Sequence, residues 1–307
     1  MYDLLIIGGG PAGISAGVYA SRKQLKTLFV TSEWGGQSTV SPDIQNWIGT
    51  AHISGDQLAK DLENHLKEYA GTFVEIKAKT LVQSVTKAQN GFVATLSDGT
   101  QTEVKTVLIA TGSQRRRMEV PGADTFEHKG LTYCASCDGP IFAGQDVAVV
   151  GAGNAAFETA AQLLAYAKSV TLIQRSKTAK ADPVTVEKVL AHPNMNLISD
   201  VTITGVQGEK FVSGISYAQG GDTEEKVLTV AGIFVEIGMI PNTEFLKDVI
   251  ELDEYGRVKI DPWTQQTTTY GIWAAGDCTN IKYHQNNISA GDAVKALEDI
   301  YIHLKAR

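Results

Sequence analysis

Cys134-Ala135-Ser136-Cys137 carries two thiols at a spacing that lets them close a small, reversible disulfide, and Asp138 follows at once as a group able to manage a proton. The thiolate is the reactive form of cysteine, and a Cys-x-x-Cys pair commonly lowers one thiol's pKa enough to populate it near neutral pH. The same spacing is half of a zinc site, and two cysteines can equally be buried and inert. A closed structural zinc site needs four nitrogen or sulfur ligands, usually from a second paired motif. The chain has three cysteines and six histidines, and of the histidines only His128 lies near the pair in sequence. No metal site is expected. Cys278, the remaining cysteine, reads as a small buried hydrophobe. A redox pair of this kind needs an electron source.

Two glycine turns supply candidates. Tyr2 to Ile7 is an apolar, strand-like run that opens into Gly8-Gly9-Gly10-Pro11-Ala12-Gly13, followed by an Ala-rich helical stretch from Ile14 to Ala20. Glycines there permit the tight turn and let backbone and helix N-terminus approach a pyrophosphate with no side chain in the way. The next strand, Thr27 to Thr31, ends near Glu33, a candidate partner for ribose hydroxyls. The arrangement recurs at Val147 to Val150, Gly151-Ala152-Gly153-Asn154-Ala155-Ala156, a helix through Leu164, and a second strand Val170 to Gln174. No acid closes that strand; Arg175, Lys177 and Lys180 follow it instead. Cations match a ribose 2′-phosphate, whereas the NAD diol is usually matched by a carboxylate, so NADPH is favoured and NADH stays possible. Lys177 and Lys180 have a second reading as members of a solvated basic loop.

The two units echo one another further. Val107 to Gly112 closes the first as an apolar strand ending in glycine, and Ile233 to Gly238 closes the second. Pro241-Asn242 comes next, then Ile272 to Asp277, another buried strand ending in a tight turn with an acid. The final segment places Ala290, Val294, Leu297, Tyr301 and Leu304 on one helical face, which should dock on the first unit. The expected fold is α/β: two Rossmann-like, three-layer dinucleotide-binding domains, the second inserted into the first. Residues 1–113 plus 243–307 would form the discontinuous first domain and residues 114–242 the second, with linkers around Ser113 to Pro121 and Pro241 to Thr243. Arg115, Arg116 and Arg117 lie in the first linker, as a hydrated face or as a dock for an acidic partner or a phosphate.

Bulk properties narrow the classes. At 307 residues the chain can fill two cores, and its formal net charge of -7 disfavours generic nucleic-acid binding. No apolar run approaches the roughly 20 residues of a membrane span, and the N-terminus lacks a secretory signal. Three cysteines make no structural disulfide framework, which fits a reducing, cytoplasmic setting.

Taken together, these motifs resemble those of the low-molecular-weight thioredoxin reductases over essentially the whole chain. Gly8 to Gly13 resembles the family's FAD fingerprint, Gly35-Gly36-Gln37 its flavin-contacting loop, and Asn46-Trp47 the segment that follows. Ala110-Thr111-Gly112 resembles the strand end before the crossover, Cys134 to Gly139 the active-site motif, and Gly276-Asp277 with Gln285 the C-terminal FAD signature. The resemblance implies a homodimeric flavoenzyme in which NADPH reduces FAD, FAD reduces the disulfide, and the dithiol reduces a thioredoxin-like or glutaredoxin-like protein. It implies that Cys137 faces the flavin, that Cys134 attacks the partner and that Asp138 is the general acid and base. It also implies a rotation of the second domain about the linkers.

The chain departs from that pattern. Gln174-Arg175-Ser176 and Lys180 stand where a His-Arg-Arg and a further Arg are typical, Met239 replaces a His after Gly238, and His284-Gln285-Asn286 replaces Arg-Gln-Ala in the flavin region. His284 could tune the flavin or lie on the surface. Met239, Lys180-Ala181-Asp182 and Gly276-Asp277-Cys278-Thr279 lean toward the flavoprotein subunit of alkyl hydroperoxide reductase. A stand-alone relative of that subunit would use NADH, and, because the chain begins directly at the first strand, it would need a separate redox protein. Two other readings are a ferredoxin-fed reductase, which leaves the Gly151 turn without a duty, and a flavin-bound redox sensor that is not an enzyme.

Overall fold

The computed structural model describes every residue except Pro42, Asp222, Thr223, Ala306 and Arg307. In chain order the first segment gives β1 (Tyr2–Ile7), α1 (Pro11–Arg22), β2 (Thr27–Thr31), α2 (Gly55–Ala70), β3 (Val74–Ala78), β4 (Val82–Ala88), β5 (Gly91–Leu96), β6 (Gln101–Ile109) and a crossing strand β7 (Ser113–Arg115). Next come β8 (Leu131–Thr132), α3 (Ala135–Asp138), β9 (Asp146–Val150), α4 (Asn154–Leu163), β10 (Ser169–Ile173), α5 (Pro183–Leu190) and β11 (Met195–Ile198). An antiparallel run follows, β12 (Val201–Gly208), β13 (Val212–Gln219) and β14 (Lys226–Thr229), and then β15 (Gly232–Val235). The chain returns through β16 (Met239–Pro241), β17 (Ile272–Ala274) and α6 (Asn286–Lys305). It divides into two compact units, Met1–Gln114 with Ile240–Arg307, and Arg115–Met239.

The first unit is built on the order β3-β2-β1-β6, with β17 beside β6 and the β4-β5 hairpin on the N-terminal half of β6. β1 pairs in parallel with β2 through Leu4↔Thr27 and with β6 through Leu4↔Thr106. Its side chains divide by parity: Leu4 and Ile6 join the core under α1, α2 and α6, while Leu5 and Ile7 join the core on the other face, with Val85 and Phe92. A strand apolar on both faces is what a sheet covered on both sides requires.

The second unit repeats the scheme with parallel order β11-β10-β9-β15-β8. Val147 and Val149 face α4, and Ala148 and Val150 face the antiparallel β12-β13-β14 layer. Both units are therefore Rossmann-like three-layer α/β folds. In each, the glycine turn leaves a strand flanked by neighbours whose connections run in opposite directions, which is where open α/β sheets hold their ligands.

The last helix differs from its sequence reading in rotation. Ser289, Ala293, Ala296, Leu297 and Ile300 are its buried residues, whereas Tyr301 and Leu304 pack only at the margin of the core. The contact with α1 is centred on alanines because two backbones approach closely only where side chains are small, and a face chosen by bulk lies about a residue away. No helix among the described residues is long and apolar enough to cross a membrane.

Candidate functional site

In the second unit Cys134 and Cys137 form a disulfide with Cα atoms 5.3 Å apart. Cys134 ends the extended segment after β8 and caps α3, its Sγ accepting the Cys137 N–H at 3.2 Å. The Asp138 N–H donates to the Cys134 carbonyl at 3.0 Å, and the Thr132 hydroxyl donates to the Asp138 carboxylate. Thr132 is thus the orienting group for the acid, and no motif in the sequence points to it. Ser136, between the two cysteines, meets Gln162 on α4 at 3.2 Å. Gly139 has a packing reason to be glycine: a methyl group there would lie 2.1 Å from the Tyr166 hydroxyl. Both cysteines are half-buried.

The second glycine turn opens α4 at its N-terminus. A Cβ on Gly151 would come within 2.4 Å of the Glu236 carbonyl, so only glycine lets β9 turn there, while Gly153 opens on free space. No side chain caps α4 at Gly153, so the Asn154 and Ala155 N–H groups of the first turn have no capping side chain, while the Ala156 N–H donates to the Gly153 carbonyl at 3.1 Å. The loop after β10 is tied to this turn, with the Lys180 N–H donating to the Ala152 carbonyl and the Asp182 N–H to Asn154 Oδ1, each at 2.7 Å. Gln174 is buried, its amide nitrogen donating to the Ser199 hydroxyl at 3.0 Å, and Arg175, Lys177 and Lys180 are the exposed cations of this stretch. Lys177 is also 3.6 Å from Asp200. Gly238, at φ 106°, accepts the Arg116 N–H at 3.0 Å. Burial pushes the Glu236 carboxyl up to about 7, against the pull of the Thr159 hydroxyl and Arg115.

The first unit holds a cleft of about 720 Å³ at the C-terminal edge of its sheet. Its lining takes in Gly8, Gly10, Pro11 and Ala12 of the first glycine turn, Glu33, Gly36 and Gln37 after β2, Ala110, Thr111 and Gly112 after β6, and Gly276, Asp277 and Asn286 after β17. Gly13 lies behind the turn, Asn46 donates to Gln285 Oε1 at 3.1 Å, and neither Asn46 nor Gln285 reaches the wall. Residues 80–82 and 240–245 also line the cleft, and most of them carry no signal in the sequence. Pro241-Asn242 stands out as a turn pair, and Asn242 donates to the Thr111 carbonyl at 2.9 Å. His284 Nδ1 is 3.4 Å from Asp277 Oδ1. Cys278 is fully buried, and burial pushes its thiol up to about 11, out of the range of thiol exchange.

The chain matches the pyridine nucleotide-disulphide oxidoreductase family over residues 2–291. It belongs to that family. Family membership implies a flavin and a pyridine nucleotide. The first cleft fits the former: Gly10 presents open space at an uncapped helix start, and the lining includes residues at the ends of β1 and β2 and just beyond β6 and β17. The Gly151 turn fits the latter. Among solved structures, a thioredoxin reductase of Streptococcus pyogenes superposes with a TM-score of 0.90 at 33% identity, covering 100% of this chain and 99% of that one. A thioredoxin reductase of Giardia duodenalis gives 0.92 at 31%, with coverage of 100% and 99%. An NADH dehydrogenase of Bacillus subtilis is 37% identical over 96% of this chain and 57% of its own length. A component of the alkyl hydroperoxide reductase of Pseudomonas putida is 37% identical over 99% and 58%. The chain therefore spans little more than half the length of these last two relatives.

Proposed function

We propose that this family member is a flavin-dependent disulfide reductase that takes electrons from a nicotinamide nucleotide at the Gly151–Ala156 turn and delivers them through Cys134 and Cys137 to a thioredoxin-like or glutaredoxin-like protein. The observation that carries the reading is the half-buried disulfide whose adjacent carboxylate, Asp138, is held by the Thr132 hydroxyl, on the same sheet edge as the second glycine turn. FAD, when bound, supplies two-electron transfer between nicotinamide and disulfide. Once the pair is reduced, Cys134 as thiolate attacks a sulfur of the partner disulfide and one partner thiol leaves. Cys137 then attacks the Cys134 sulfur, the second partner thiol leaves, and the Cys134–Cys137 bond re-forms. Asp138 takes the Cys137 proton and returns it to a departing thiolate. A homodimer in a reducing compartment is the expected setting.

Asp138→Asn keeps the hydrogen bond from Thr132 and loses the proton. It is expected to slow partner reduction about 10²-fold at unchanged FAD content, measured by absorbance and steady-state kinetics. Full activity in that variant would remove the proton role.

NADPH is the proposed nucleotide because Arg175, Lys177 and Lys180 are exposed cations where β10 ends. NADH is the second reading, favoured by the Lys177–Asp200 pair, which occupies one of those cations, and by the name of the Bacillus subtilis relative. One anaerobic titration tests both. Flavin bleaching by NADPH, followed by recovery on adding oxidised thioredoxin, supports the proposal, and Arg175→Ala should then raise the NADPH KM several-fold more than the NADH KM. Bleaching by NADH alone selects the second reading. No bleaching by either nucleotide overturns the reductase reading.

A further inference from the structure

We propose that Glu236 is a second carboxyl group beside Cys134, and that it receives the proton of the Cys134 thiol when the reduced pair becomes nucleophilic. The inference deepens the reductase reading and rests on it for its purpose. Its geometry comes from the sheet. β8 and β15 run in parallel with Ile233 opposite Leu131 and Phe234 opposite Thr132. Leu131 and Ile233 share the core that faces the antiparallel layer, and Phe234 packs with Phe157 and Ala160 of α4 on the other face. Successive side chains alternate faces along a strand. Cys134 is two residues beyond Thr132, in extended backbone at φ -141° and ψ 102°, and Glu236 is two residues beyond Phe234. Both therefore leave the same sheet edge toward α4, on adjacent chains that lie ~4.8 Å apart where they are paired.

Contacts with α4 agree with that placement. The Thr159 hydroxyl donates to Glu236 Oε1 at 2.9 Å, and Gln162, three residues along the same helix, meets Ser136 within the Cys-x-x-Cys at 3.2 Å. Residues three apart on a helix share a face. The charged groups that act on Glu236 are Arg115 on β7, which favours the carboxylate, and Glu158 on α4, which opposes it. The Gly151 turn packed against its backbone carries no charge, and on the other side the paired strand β8 ends at Thr132, two residues before Cys134. Burial raises the carboxyl to about 7, close to the range of a Cys-x-x-Cys thiol, so a proton can pass between them near neutral pH. The step is Cys134–SH plus Glu236–COO⁻ giving Cys134–S⁻ plus Glu236–COOH; no electrons move. Asp138, held by Thr132 and next to Cys137, would serve the other thiol, so each cysteine has its own carboxyl group.

Two groups that interact by more than about one pK unit titrate as a pair in two macroscopic steps. The test uses FAD-loaded protein reduced with dithiothreitol, freed of it anaerobically, and alkylated with iodoacetamide from pH 5 to 10, with Cys134 followed by peptide mass spectrometry. The wild-type rate profile should contain an inflection near pH 7 that Glu236→Gln abolishes. Thr159→Val, which removes the hydroxyl that favours the carboxylate, should move that inflection upward by about half a pH unit or more. It also keeps the proposal testable if Glu236→Gln does not fold. Superimposable profiles in wild type and the folded variants overturn the proposal. No nicotinamide nucleotide takes part, so failure of the reductase reading would be seen in the bleaching titration and not here.

Discussion

Cys137→Ser lowers turnover with an oxidised thioredoxin-like protein by at least about 10³-fold, and the chain is recovered joined to that protein through Cys134. The two effects have one cause. Cys134 caps α3 from the half-buried edge of the sheet, and as a lone thiol it can still open the partner's disulfide. Only a second thiol three residues on can release it, and the serine hydroxyl at that position is far too weakly acidic to attack sulfur at neutral pH. A non-reducing gel shows the mixed species, and reductant removes it. The flavin should still bleach with nucleotide, because nothing at the Gly151 turn has changed. Cys134→Ser is the control: it too stops turnover, but it traps no partner. Turnover persisting in Cys137→Ser would mean that the electrons leave by another route, and a trap formed by Cys134→Ser instead would exchange the roles of the two cysteines.

How much of this is legible in the sequence depends on the range of the interactions concerned. The parallel strands announce themselves because Leu4 to Ile7 and Val147 to Val150 are apolar without alternation, and both glycine turns are contiguous strings whose physics is local. The disulfide is a four-residue motif and is equally visible. Thr132 escapes a sequence reading because its partnership with Asp138 depends on how the segment after β8 folds back into α3, and a threonine two residues before a cysteine signals nothing by itself. Glu236 reads in sequence only as part of a strand ending in glycine, since the Thr159 hydroxyl, Arg115 and the β8 strand that pairs with β15 come from three separate stretches of chain. The wall of the first cleft formed by residues 80–82 and 240–245 is likewise a product of the fold. On α6 the sequence pattern favours bulky side chains for the buried face, whereas close packing against α1 selects Ala293 and Ala296.

Gly13→Ala and Gly10→Ala, three residues apart in one motif, should fail in different ways. A Cβ on Gly13 would lie 1.9 Å from the Gly8 carbonyl oxygen, an atom of the turn that also carries Gly8 at φ 121° against Ala110. Neither backbone can yield without opening the junction of β1 and α1, because Leu4 and Ile6 before it and Ile14 and Ala16 after it are locked in the same core. A cost on the order of 4 kcal/mol or more is expected, a large share of ordinary domain stability. The melting temperature should fall by about 10 °C, or the variant should not be recovered folded. A Cβ on Gly10 meets nothing within 4 Å, and its φ of -82° suits alanine. Losing glycine at the helix N-cap costs about 1 kcal/mol or less, so Gly10→Ala should melt within a few degrees of the parent. Its methyl group nevertheless stands in the wall of the cleft, at the uncapped start of α1 where a pyrophosphate would need the backbone bare. FAD affinity should drop by about tenfold or more, measured by fluorescence of released flavin on dilution. A folded Gly10→Ala that retains its flavin as tightly as the parent would place the pyrophosphate elsewhere in the cleft, whereas loss of flavin with the fold intact ties this turn to the cofactor independently of any assay of turnover.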